Sequence, residues 1–229
     1  MSNASRTLKA RAFLGLGFLM AVLGLALFSV AGTLHYAQGW TFLLVFSTCS
    51  LAITLYLMRN DPELLERRVK AGPIAEQRTR QKVIQGLASV AFLSTIIVPA
   101  LDRRLGWSRV PLPVVLLGDV LVGIGFWIVF LVYRENSYAS AVIEVGADQK
   151  VIDTGPYARV RHPMYAGALL LIAGIPLALG SYWGLLTLAP FIAIIVWRLL
   201  DEETLLVQEL PGYEAYRRRT PYRLIPYVW

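Results

Sequence analysis

Four long apolar stretches, at roughly 12–32, 40–58, 83–101 and 111–133, decide what this 229-residue chain can become. Each can cross about 30 Å of hydrocarbon as a helix of about 20 residues. In hydrocarbon only helices and closed barrels satisfy their own backbone groups. A further apolar region, 164–200, is interrupted at Gly180-Ser181-Tyr182-Trp183, which divides it into two segments of about seventeen residues, each just long enough to cross. The expected fold is therefore all-α: a polytopic integral membrane bundle of six spans, four of them followed by a C-terminal helical hairpin. The 16% charged content, below the roughly 25% of soluble domains, agrees.

Arg6, Lys9 and Arg11 precede the first stretch as they would in a signal peptide, but the apolar run is too long and lacks a small-residue cleavage site, so it is read as a retained span. Six spans place both termini on one side. Nineteen of the 22 lysines and arginines then fall on that side, and only Arg103, Arg104 and Arg109 on the other. Positive charge collects on the cytoplasmic side of membrane proteins, so both termini are expected in the cytoplasm, at a bacterial inner membrane or its equivalent.

The same bias accounts for the net charge of +7. Basic residues at the inner leaflet meet anionic lipid, and no basic stripe with interleaved aromatics offers a nucleic-acid groove, so no nucleic-acid partner is expected. Cys49 is the one cysteine, and His35 and His162 lie on opposite expected sides. Without a Cys/His cluster no metal site is expected.

Between the second and third stretches, Asn60-Asp61-Pro62-Glu63 reads as a helix start, with a polar cap, proline in the first turn and an acid near the positive end of the dipole. Leu64, Leu65 and Val69 alternate there with Glu66, Arg67, Arg68 and Lys70, the pattern of an interfacial helix near 61–70; a solvated connector fits the same residues. Asp119, inside the fourth stretch, is expected to face protein or water rather than lipid, either pairing with a polar group in the bundle or taking a catalytic role. The chain thus divides by chemistry. Residues 1–133 form a membrane scaffold, and 134–229 form a catalytic region with a binding loop, the hairpin and an amphipathic tail.

Within that region, QKVIDTGPYARVRHPMY at 149–165 sets a polar turn against the mouth of an apolar helix. Thr154-Gly155-Pro156-Tyr157 is turn chemistry. Arg161-His162-Pro163 places a proline at the start of the next helix, with His162 at its cap and free N–H groups that favour an anion. Tyr165 follows on the first turn, where an aromatic face can meet a cation. At the inner end of the last span, Arg198 and Glu202 are four residues apart and share a helical face, while Glu203 is turned away. An interfacial ion pair explains Arg198 and Glu202 equally well. The hairpin, however, returns them beside residues 162–170. Gly212, Tyr213, Tyr216 and Arg217 to Arg219 form the tail, which suits a surface helix docked on lipid or a lid over the site.

QKVIDTGPYARVRHPMYAG, followed by a hairpin and RLLDEETLLVQELPGYEAYRRRTPYRLIPYVW, resembles the isoprenylcysteine carboxyl methyltransferase family and its bacterial relatives, with phospholipid N-methyltransferases more distant. The resemblance covers about 134–229 and rests on RHPxY paired with a downstream Glu-Glu. It implies S-adenosylmethionine as methyl donor. The family's cofactor positions fall on Gln149, Lys150, Val151, Ile152, Tyr157, His162, Pro163, Met164, Tyr165 and Glu202, and its acceptor-contacting arginine on Arg198. Catalysis would rest on Arg198 and Glu202. Family members that act on prenylated proteins usually carry histidine where this chain has Gln149 and threonine where it has Asp153.

The implied chemistry suits these residues. A donor with a sulfonium, an ammonium and a carboxylate needs an aromatic wall, an acid and an N–H-rich corner. A lipophilic carboxylate acceptor is already a nucleophile, needing alignment by Arg198 and removal of water. An amine acceptor, lipid or otherwise, would need a base, for which His162 and Glu203 stand near. Two other classes fit: an NADPH-dependent membrane reductase similar in its C-terminal helices, and a non-catalytic membrane protein that shares the fold.

Overall fold

The computed structural model describes residues 3–69, 76, 78–143, 145–146 and 148–229. Among these the chain forms eight α-helices and no strand. The helices are α1 (Asn3–Ala31), α2 (Ala37–Asn60), α3 (Pro62–Val69), α4 (Thr79–Leu105), α5 (Leu112–Glu135), α6 (Pro163–Ala178), α7 (Leu188–Glu209) and α8 (Tyr213–Arg219). Five helical segments are long and apolar enough to cross a membrane: Arg6–Ala31, Ala37–Asn60, Thr79–Leu105, Leu112–Glu135 and Trp183–Glu209. The chain is an integral membrane protein by this architecture. The other arm of the hairpin, α6, has 16 residues, a rise of about 24 Å, and is about one turn short of a full crossing.

α6 compensates by lying along α5. A Cβ at Gly118 would stand 2.1 Å from the Ala178 backbone nitrogen, and one at Gly125 2.7 Å from the Gly167 carbonyl oxygen. One at Gly174 would stand 2.7 Å from the Gly118 carbonyl oxygen. Pairs of glycines seven residues apart on both helices thus form a seam in which backbones touch, the way membrane helices associate where hydrophobic burial gives no drive. Behind the seam, Leu27, Phe42, Ile96, Ile172 and Ile175 form the centre of the main core.

At the end of the bundle remote from the loop 136–162, α6 is pinned. The Tyr36 hydroxyl donates to the Leu179 carbonyl. The buried Asp102 carboxylate accepts from Ser181 Oγ and from the backbone N–H and hydroxyl of Ser108. Gly180, at φ +71°, makes the turn between the hairpin arms, as glycine readily does.

α3 starts as its sequence predicts, with Asp61 Oδ1 accepting the Leu64 N–H at 2.9 Å and Leu64 and Leu65 buried. Its polar face is occupied by protein. Arg67 donates to the Ser137 carbonyl, Arg68 to the Ser140 carbonyl, and the Arg68 guanidinium lies over the Tyr133 ring. Lys70, expected on the same helix, lies outside the described residues. Asp119 faces protein as expected, but neither carboxylate oxygen has a hydrogen-bond partner among the described residues.

Candidate functional site

The end of α5, the loop that follows it and the hairpin meet at one end of the bundle. Gly155, at φ +55°, brings its backbone so close to Glu135 that a Cβ would sit 2.9 Å from that side chain. The Thr154 hydroxyl donates to the same carboxylate. Asn136 Nδ2 donates to the Tyr157 hydroxyl at 2.8 Å, and the Tyr216 hydroxyl from α8 donates to the Tyr157 carbonyl at 2.8 Å. The turn is thereby tied to α5 on one side and to the tail on the other.

These ties border a partly open cavity of about 120 Å³, room for roughly ten waters at 10–15 Å³ each. Gln149, Lys150, Val151 and Ile152 form one wall, and Tyr157 stands beside them. His162, Pro163, Met164 and Tyr165 enter from the start of α6, and Arg198 and Glu202 from α7. Every residue given a cofactor, acceptor or catalytic role by the family resemblance borders this one space; Glu203, considered as a base, does not. The tail contributes Leu210, Tyr213 and Tyr216.

Glu203 points away from the cavity, toward two arginines and His162. Its Oε1 accepts from Arg161 Nε at 2.7 Å and lies 3.2 Å from His162 Nε2, and its Oε2 accepts from Arg223 Nε at 3.0 Å. Arg161 Nη1 also donates to the carbonyls of Thr220 and Pro221. The backbone N–H groups of Arg161 and His162 reach the Tyr222 and Arg223 carbonyls at 2.9 Å. Glu203 therefore clasps three pieces of chain: α7, the entry to α6 and the C-terminal segment. His162 does occupy the N-cap position of α6, yet its side chain caps no helix N–H and turns to Glu203 instead.

Arg198 is engaged on every side. Its Nε donates to the Tyr165 hydroxyl at 3.1 Å. Its Nη1 donates to Glu76 Oε1 at 3.2 Å and to Gln81 Oε1 at 3.0 Å. Its Nη2 donates to Glu76 Oε1 and to the Ala141 carbonyl, both at 3.2 Å. Gln81 in turn donates to Asp201, which also pairs with Arg78 and Arg80. Glu202 accepts from the Tyr165 hydroxyl at 2.6 Å. The tyrosine thus joins the arginine and the acid that helical spacing had set on one face.

Glu76 and Gln81 were invisible from sequence. A polar residue at or ahead of the start of a span reads as an ordinary interfacial side chain, and only the tertiary structure shows that Gln81 on α4 and Glu76 before it meet Arg198. Tyr213 was recognisable only as part of an amphipathic tail.

Burial pushes the Tyr157, Tyr213 and Tyr216 hydroxyls above the ordinary phenol range, and nearby negative charge, Glu203 and Glu202 in the case of Tyr213, adds to it. All three stay protonated near neutral pH; the Tyr216 hydroxyl donates to the Tyr157 carbonyl, and the Tyr157 hydroxyl accepts from Asn136. The Tyr213 hydroxyl is buried with no partner among the described residues, in the wall of the cavity. A buried polar group left in that state costs about 1–3 kcal/mol, which a polar ligand atom would recover.

Aromatic faces, an acid, an orphaned hydroxyl and the N–H groups of the first turn of α6 make a suitable surface for a ligand carrying both charges. Tyr157 and Tyr165 would serve a cation, together with Glu202. Met164 and Tyr165, on the first turn, would serve a carboxylate through their backbone N–H groups.

Residues 113–212 match the family model of phospholipid methyltransferases. The matched stretch runs from the start of α5 to Gly212. It holds every residue given a cofactor, acceptor or catalytic role from the sequence and omits Glu76, Gln81, Tyr213 and Tyr216. No curated protein matches the chain.

Proposed function

We propose, starting from the match of this stretch to phospholipid methyltransferases, that the chain is a membrane methyltransferase using S-adenosylmethionine. The cavity would bind the donor, and the acceptor would be a lipophilic molecule that reaches it from the bilayer. One observation carries the reading: two segments far apart in sequence, 149–165 and 198–202, border a single polar cavity at the end of an apolar bundle.

S-adenosylmethionine supplies a methyl group made electrophilic by its sulfonium. The protein's part is to bind, orient and exclude water. Gln149 to Ile152 and Tyr157 would hold one side of the donor, and His162 to Tyr165 the other, with Glu202 opposite its positive charge. In this reading residues 134–229 are the catalytic region and 1–133 the scaffold, to which Glu76 and Gln81 add a contribution of their own. The site would face the cytoplasm, the side given the excess of lysine and arginine.

The sequence favoured a carboxylate acceptor held by Arg198. The pairing of Arg198 with Glu76 supports the second reading, an amine or uncharged acceptor, because the guanidinium already has a carboxylate. Glu202 has no cationic side chain in ion-pair contact among the described residues, and its partner is the neutral Tyr165.

The test is incubation of the purified protein in nanodiscs with methyl-labelled S-adenosylmethionine and a fractionated membrane extract. A labelled product soluble in organic solvent is expected, and its identification names the acceptor. Calorimetry that finds NADPH bound and S-adenosylmethionine not would overturn the reading in favour of a reductase. Binding of neither would leave a non-catalytic protein.

A further inference from the structure

The arginine of the candidate site is closed off by a residue from outside the matched stretch. A guanidinium has five N–H donors, and Arg198 spends them on the Tyr165 hydroxyl, on Gln81 Oε1, on the Ala141 carbonyl and, from both Nη atoms, on Glu76 Oε1. The Glu76 side chain is 1% exposed and that of Arg198 10%. Glu76 is itself held: Oε1 accepts from Gln85 Nε2 at 3.3 Å and Oε2 from the Ile143 N–H at 3.4 Å. Arg198 borders the cavity, whereas Glu76 lies behind it. The ion pair therefore draws the guanidinium's donors away from the space where an acceptor would sit.

We propose that Glu76 is a specificity-determining residue that excludes anionic acceptors by saturating Arg198. The proposal rests on the reading of the cavity as a methyl-transfer site. An acceptor carboxylate gains from arginine chiefly through paired N–H donation, and here no N–H is left to give. Glu76 also cancels the charge that would attract an anion, and Glu202 at the cavity repels one. Arg198 with Glu76 and Glu202 sums to one net negative charge, Arg161 is paired with Glu203, and Lys150 is the other cation in the lining; an anion is thus left without a guanidinium to grip it. Substituting Glu76 by Gln removes the charge that offsets Arg198 and so returns a positive charge to the cavity, while the amide oxygen can still accept from the Nη atoms. The acceptor preference would then swing toward anions. Glu76 touches neither donor nor acceptor in this scheme and acts through Arg198.

The test compares decylamine with decanoate as probes. Binding of each to the full chain is measured in nanodiscs of zwitterionic lipid, with empty discs subtracted, in the presence and absence of S-adenosylmethionine. Wild type is expected to prefer decylamine by about tenfold or more, and Glu76→Gln to move the affinity ratio toward decanoate by about tenfold. Glu76→Asp keeps the charge and is expected within about threefold of wild type. A ratio that the Gln variant leaves within about twofold, a wild type that prefers decanoate, or binding of neither probe overturns the proposal. If Glu76→Gln does not fold, Gln81→Ala decides: it releases one Nη1 N–H, and decanoate affinity should rise about threefold, an unchanged affinity being the negative result. Failure of S-adenosylmethionine to bind, with the ratio still moved by Glu76→Gln, would overturn the methyl-transfer reading and leave the role of Glu76 standing.

Discussion

The Tyr165 hydroxyl donates to Glu202 Oε2 at 2.6 Å while it accepts from Arg198 Nε at 3.1 Å. One phenol on α6 thus fixes two charged side chains on α7, and a helix that is short by a turn sets the shape of the polar end of its neighbour. Replacing Tyr165 by Phe removes both bonds and leaves the ring. The expected result is a loss of S-adenosylmethionine affinity of about tenfold to a hundredfold, since hydrogen bonds to charged groups contribute about 1.5–3 kcal/mol. Isothermal titration measures it. An affinity unchanged within error would show that the pair Arg198 and Glu202 holds its place without the phenol.

Glu203 is the anion of a buried cluster with Arg161, His162 and Arg223. Glu203→Ala strands the Arg161 guanidinium, whose side chain is 4% exposed, and removal of one partner from a buried pair costs about 3–5 kcal/mol. Thermal unfolding in detergent should fall by many degrees, and limited proteolysis should cut first between 211 and 229, which this clasp secures. A melting temperature within a degree of wild type would refute the assignment.

The α5–α6 seam is testable by contrast. Gly118→Val places a side chain where the Ala178 backbone stands, whereas a Cβ at Gly123 would meet nothing within 4 Å. The first variant is expected to fail in folded yield, because overpacking costs about 1–3 kcal/mol or more even where side chains can yield, and here only backbone is available. Gly123→Ala should match wild type in size-exclusion profile and melting temperature. Equal behaviour of the two would remove the seam as the basis of helix pairing.

The apolar runs alone placed α2, α4 and α5 to within four residues at each end, because length and hydropathy are local properties that the bilayer reads directly, while the polar start of α1 and the polar end of α7 lay nine residues beyond them. Turn chemistry did the same for the α6 start at Pro163 and the break at Gly180. For the cavity, helical spacing put Arg198 and Glu202 on one face and the hairpin brought them to Tyr165. The network of Glu76, Gln81 and Asp201 was not legible, since it depends on which face of α4 meets α7, and both helices are apolar on most sides. Helical spacing already turned Glu203 away from that face, but the tail that delivers Arg223 and encloses the carboxylate is a long-range contact that spacing does not carry.

Tyr213 separates stability from binding. Its hydroxyl is buried without a partner, so Tyr213→Phe should leave the ligand-free melting temperature unchanged or slightly higher. If the hydroxyl meets the donor, the same variant should bind S-adenosylmethionine about tenfold more weakly, a loss of about 1.4 kcal/mol. Tyr213→Phe with wild-type affinity would assign the hydroxyl to no ligand.

The brevity of α6 has a consequence for the surrounding lipid. With 16 residues, the helix rises about 24 Å against a hydrocarbon thickness of about 30 Å. Its far end is fastened through Leu179 and Ser181, so the shortfall falls at the His162 end, where the polar cavity opens. Lipid around that end would thin, or water would descend to meet the protein, at a modest cost per ångström. Such a dimple would carry the headgroup plane down to Tyr165 and Glu202. A long-chain molecule would then present its polar end to the cavity while its tail stays immersed in its own leaflet.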